Sequence, residues 1–139
     1  MADQPPAIRA VLDPSAMLSY ARGHVHVGEL VIDIAAEGAL VALPTVALLG
    51  AYLRAADDEV ARDALALLAT LDGVAVLPLG PAEADLVAAT VPLAGGDIVR
   101  AHALWAALRY HAYYFTTEPQ AAPSALAAWQ VHPIPVEDA

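Results

Sequence analysis

A chain of 139 residues with 59% hydrophobic side chains suits one compact domain with a substantial core. It contains no cysteine, which excludes disulfides, thiolate zinc sites and a cysteine nucleophile. Its formal charge is −10, with six arginines spread along the chain and no lysine. That balance argues against broad neutralisation of nucleic-acid phosphates but leaves room for a metal site, which must itself be rich in carboxylates.

The first residues, through 7, read as a disordered tail ahead of a single domain over 8–136. They lack the basic-then-apolar pattern of a secretory leader. No apolar run reaches the ~18 residues of a membrane span, since the longest, 39–53, is broken by Pro44 and Gly50. These features fit a cytoplasmic protein that does not enter a membrane.

In chain order, the apolar run 8–12 predicts a buried strand, and Asp13-Pro14 predicts a helix over 14–20 with Asp13 at its cap and Pro14 at its first position. Gly23 ends it. Val27, Leu30, Val31 and Ile34 have helical spacing over 25–36, and Gly38 is a natural stop. A short extended segment, 40–43, leads to a helix opened by Pro44 and running to 55. Asp57 or Asp58 caps the next helix, to about 71, with Val60, Leu67, Leu68 and Leu71 as its apolar stripe and Asp58–Arg62 as an ion pair.

After an Asp72-Gly73 turn, 74–79 predicts a buried strand and Pro81 opens a helix to 90. Gly95-Gly96 is a flexible connection, and Asp97 starts a helix to about 110 with Ile98, Ala101, Trp105 and Leu108 on one face. An aromatic strand over 112–116, a loop at 117–119, a short helix over 124–128 and a last strand over 131–134 complete the chain. Short apolar strands separated by helices predict a three-layer α/β/α fold around a mainly parallel sheet of four to five strands.

Ligands of such sheets bind beyond the carboxyl ends of the strands. Asp13 follows the first strand, Glu118 follows the third long one, and Asp97 opens the helix leading into it. Acids gathered on one rim suit Mg²⁺ or Mn²⁺, which prefer oxygen ligands and can activate water against a phosphodiester. Against this, Asp13 and Asp97 serve equally well as helix caps.

Three segments resemble the PIN domains, the nuclease fold of the VapC toxins. Val11-Leu12-Asp13-Pro14-Ser15-Ala16-Met17-Leu18 is similar to the family's opening strand, aspartate and helix. Gly96-Asp97-Ile98-Val99-Arg100-Ala101 resembles its aspartate at the head of an alanine-rich helix, and Phe115-Thr116-Thr117-Glu118-Pro119 its strand ending in Thr-x-Asp. The resemblance implies a PIN-like fold and a Mg²⁺- or Mn²⁺-dependent endoribonuclease of the toxin–antitoxin type. Asp13, Asp97 and Glu118 would hold metal and carry catalysis, with Ser15 and Thr116 supporting carboxylates or water. It also implies a homodimer, an antitoxin partner and an RNA substrate.

The segment Leu48-Leu49-Gly50-Ala51-Tyr52 departs from the pattern, because Gly50 stands where the family carries a glutamate. Glu118 in place of aspartate is a second departure. The alternative is therefore a catalytically degenerate PIN-fold module that dimerises or binds a partner.

Other residues have plainer readings. His24 and His26 are either replacement ligands or solvated loop histidines, and His102, five residues after Asp97, is structural. His111 and His132 are isolated. Tyr110, Tyr113, Tyr114 and Phe115 either stack bases or belong to the core and a dimer interface. Trp105 reads as core, Trp129 as core or a subunit contact, and Glu29, Asp33 and Glu37 as a solvated acidic stripe. No phosphate-cradling glycine loop or nucleophile elbow is present.

Overall fold

The structure, a computed structural model, describes residues 5–136. The part of the predicted disordered tail that falls on residues 1–4 lies outside the described residues. Five strands, β1 (Ile8–Leu12), β2 (Leu40–Pro44), β3 (Val74–Leu77), β4 (Tyr113–Thr116) and β5 (Val131–Pro133), form one sheet in the order β3-β2-β1-β4-β5. Every pairing is parallel. Six α-helices, α1 (Pro14–Ala21), α2 (His26–Ala36), α3 (Thr45–Arg54), α4 (Glu59–Leu68), α5 (Pro81–Thr90) and α6 (Ile98–Tyr110), cover it in a three-layer α/β/α arrangement. Among the described residues no helix is long and apolar enough to cross a membrane.

The central strands read as continuous apolar runs because both of their faces are covered. Ala10, Val11, Leu12, Val41, Ala42 and Leu43 are all at 0% exposure. Alanines (Ala101, Ala103, Ala106 and Ala107 on α6, Ala47 and Ala51 on α3) bring helix backbones close to the sheet and to each other. Asp13, Asp58 and Asp97 cap α1, α4 and α6 with their side chains, each accepting from backbone amides of the first turn.

Four sequence expectations need correction. The core face of α4 is Ala61, Leu65 and Leu68, whereas Val60 and Leu67 are 78% and 55% exposed. Of the predicted stripe Leu68 is buried as expected, and the face is turned so that Ala61 and Leu65 join it in place of Val60 and Leu67. Asp58 and Arg62 do not pair: Asp58 accepts from the Ala61 amide, and the Arg62 guanidinium reaches the Ala56 carbonyl at 3.4 Å. β3 is an edge strand, shorter than predicted and only partly buried. The expected helix over 124–128 is absent; single 3-10 turns at Pro119–Ala121 and Ala128–Gln130 take its place.

α6 is also less one-sided than its predicted face. Ile98 is 62% exposed, while His102, Leu104 and Ala106, off that face, are buried. Trp105 is half-buried against the core. β4 packs its aromatics in a cluster at the sheet edge: Tyr113 meets Trp129, Phe115 and His132 edge-on, at 5.7, 6.2 and 4.7 Å between centroids. His132 is thus not isolated. Glu29 and Asp33 are exposed, and Glu37 of the same stripe pairs with Arg9 at 2.6 Å.

Candidate functional site

The carboxyl ends of β1 and β4 lie side by side, so Asp13, Ser15, Thr116 and Glu118 share one rim of the sheet. Asp13 is 1% exposed. Its Oδ1 accepts from the Ser15 hydroxyl at 2.6 Å and from the Ala16 amide at 2.9 Å; its Oδ2 faces the Tyr114 hydroxyl at 3.4 Å. Because Ser15 gives its proton to Asp13, its oxygen is an acceptor for Thr116, 3.1 Å away, and for the Thr117 amide at 2.9 Å. The Thr116 hydroxyl in turn accepts from the Glu118 amide at 2.9 Å. Ser15 and Thr116 are therefore a pair of pins holding the start of α1 to the end of β4.

Burial pushes the Asp13 carboxyl above its ordinary 3.8. Hydrogen bonds from Ser15 and the Ala16 amide, the nearby Thr116 hydroxyl and the charge of Arg100 act in the opposite direction and are outweighed. Burial likewise pushes the Tyr114 phenol up, reinforced by the Asp13 charge, so Tyr114 stays a neutral donor.

Asp97 and Glu118 have a different surrounding. Arg100 lies between them, with Nη1 at 3.4 Å from Asp97 Oδ2 and Nη2 at 3.1 Å from Glu118 Oε1. Glu118 Oε2 meets a second guanidinium, Arg54 of α3, at 3.5 Å. Asp97 Oδ1 is taken by the Val99 and Arg100 amides at 3.1 and 3.2 Å. Every carboxylate oxygen of these two acids thus already faces an amide or a cation.

A divalent ion needs several oxygen ligands free to turn toward it. Among the described residues no group of three or more His, Asp or Glu side chains is placed to hold one. Arg100 supplies the positive charge that the gathered acids require, and supplies it from within the chain. The donor set as arranged does not fit Mg²⁺ or Mn²⁺.

Gly50 adds a steric statement to the chemical one. It is buried on α3, facing α6, and a Cβ built there would fall 2.9 Å from Val99 Cβ and 3.1 Å from both Val99 methyls. The two helices close over the position where the PIN resemblance asks for a glutamate, so no side chain fits without displacing α6.

Of the other histidines, His102 is fully buried; its Nδ1 accepts from the Val46 amide at 3.1 Å and so caps the first turn of α3. Burial holds its imidazole below the ordinary 6.5. His24 borders a cleft beside the rim together with Arg22 and Arg54. Sequence reasoning missed Arg22, Arg54 and Arg100, which looked scattered along the chain. Only the three-residue spacing of Asp97 and Arg100 carried a local signal.

No family model and no curated protein matches the chain. Among solved structures it is similar to the protein titled "Crystal structure of PAE2754 from Pyrobaculum aerophilum", with a TM-score of 0.55, 16% identity, and coverage of 83% of this chain and 84% of that one. At that identity the likeness speaks for the fold.

Proposed function

We propose that this chain is a PIN-like domain acting as a dimerisation or partner-binding module, in which an internal arginine has taken the place of the metal. The observation that carries this reading is the Arg100 guanidinium lodged between Asp97 and Glu118. The closed Gly50–Val99 contact supports it independently. α3 and α6, which meet at that contact, leave Leu49, Leu53 and Ile98 at 53%, 66% and 62% exposure. Exposed apolar groups on packed helices favour association with a second copy or with an antitoxin-like protein.

The competing reading is the Mg²⁺- or Mn²⁺-dependent endoribonuclease, using Asp13, Asp97 and Glu118 on RNA. One observation favours it. A carboxyl as buried as Asp13 raises the free energy of the fold when ionised, and such groups concentrate at functional sites.

The deciding experiment combines Mn²⁺ titration by calorimetry, cleavage of a mixed RNA pool, and mass determination by light scattering. The module reading expects an inert wild type, no saturable Mn²⁺ binding and a species larger than the monomer. Cleavage that requires Mn²⁺ and disappears in Asp13→Asn would overturn it. Removing the internal cation in Arg100→Gln exposes two carboxylates and should create weak Mn²⁺ binding that the wild type lacks.

A further inference from the structure

A cleft of about 150 Å³ opens beside the rim, between α1, the turn after it, the end of α3 and the residues following β4. It is smaller than the ~300–1,000 Å³ of pockets that enclose whole drug-sized ligands. It therefore suits one compact group.

Beside Ser15, already engaged with Asp13, its polar lining comes from Ser19, Arg22, His24, Arg54, Thr117 and Glu118. Two of the six arginines of a chain with net charge −10 thus meet at one small opening. Among the described residues the only acid on its wall, Glu118, is already engaged by Arg54 and Arg100. Arg22 makes no ion pair with any described residue, and Arg54 meets Glu118 through one nitrogen at 3.5 Å, which leaves its other N–H groups available.

Ser19 adds a further donor to the cleft wall. It is 7% exposed and lines the cleft, yet its hydroxyl makes no hydrogen bond to any described residue. A hydroxyl that faces the opening and is unengaged within the chain is free to meet a ligand oxygen there.

We propose that this cleft binds a phosphate monoester, or inorganic phosphate, without a metal ion. Two guanidinium groups match the charge of the dianion and present planar, two-pronged donors to its oxygens. The Ser19 and Thr117 hydroxyls add donors that need no charge. The inference goes beyond the reading above and is carried by Arg22, Arg54 and Ser19, which that reading does not use, so either can fail alone.

The test is an amide-shift NMR titration of the full chain in EDTA with inorganic phosphate and with ribose 5-phosphate. Saturable shifts confined to residues 18–24, 54 and 117–118 are expected, with a dissociation constant in the millimolar range. Binding should weaken at least tenfold in Arg22→Gln and in Arg54→Gln, and several-fold in Ser19→Ala. Arg22 and Arg54 are exposed, so these variants should keep the wild-type spectrum elsewhere.

Tighter binding of ribose 5-phosphate than of phosphate would assign an organic monoester; equal binding would assign the phosphoryl group alone. The proposal fails if shifts do not saturate, or if KCl of equal ionic strength reproduces them. It fails equally if Arg22→Gln binds as the wild type does, or if an RNA trinucleotide without a terminal phosphate binds as well as the monoesters.

Discussion

Asp13 and Asp97 stand at the same rim and do the same local task, yet their surroundings have little in common. Each opens a helix and accepts first-turn amides with its side chain. Asp97 is 35% exposed and has Arg100 beside it. Asp13 is sealed under Ser15, Thr116 and Tyr114, with no arginine in direct contact. Capping and a partly exposed ion pair account for Asp97 entirely. They do not account for Asp13, because serine or asparagine caps as well without placing a carboxyl in the interior. Of the two aspartates, the buried one holds the information about what this rim once did or still does.

The largest expected effect is at Asp13. Asp13→Ala removes a cap and strands the hydroxyls of Ser15 and Tyr114, so a loss of about 2–4 kcal/mol is expected from the cap and the unpaired polar groups together. Asp97→Ala removes a cap whose partners can turn to water, at about 1 kcal/mol. Urea denaturation of both variants checks the contrast, and equal losses would break it.

Gly50→Ala lies between these. Alanine favours the helix by up to about 1 kcal/mol, but its Cβ must push Val99 and α6 aside, and overpacking costs about 1–3 kcal/mol. A net loss is expected. Val99→Ala in the same chain should recover part of it by removing the two methyls, though not the 2.9 Å contact with Val99 Cβ. A Gly50→Ala variant more stable than wild type would show that the helix contact is not tight.

The smallest effect is one of slope. The folded Asp13 carboxyl lies above its ordinary 3.8, so its contribution to stability is fully present below that pH and is lost as pH rises through the raised folded value. Asp13→Asn has no such dependence. Relative to wild type it should therefore gain stability between pH 4 and pH 7. His102, held low, acts oppositely: its contribution is lost as pH falls through 6.5. It is the same in both chains and cancels. A pH-independent difference between wild type and Asp13→Asn would mean that Asp13 ionises freely in the fold.

Local signals carried most of the element order. Asp-Pro and Asp-Gly pairs, the Gly95-Gly96 break and short apolar runs marked where strands end and helices begin, because cap and turn geometry depends on a few adjacent residues. Asp13, Asp97 and Glu118 were visible as strand-end and helix-start acids for the same reason. The core face of α4 was not, since Ala61, Leu65 and Leu68 point inward while Val60 and Leu67, equally apolar, point out, and only the neighbour across the interface selects between them.

By itself, then, the sequence determined a parallel α/β sheet with three acids near one rim, since strand ends and helix caps are written in neighbouring residues. Through the PIN resemblance it also singled out Gly50, where that family carries a glutamate. Only the tertiary structure decided what surrounds those acids. Arg54 and Arg100 lie 64 and 18 residues from Glu118 along the chain, and folding brings both onto its carboxylate. Gly50 and Val99 meet because α3 and α6 pack without a side chain between them. Whether a carboxylate faces a metal, an arginine or the interior depends on which distant groups the packing brings within a few ångströms. That is a property of the fold as a whole, and no local pattern encodes it.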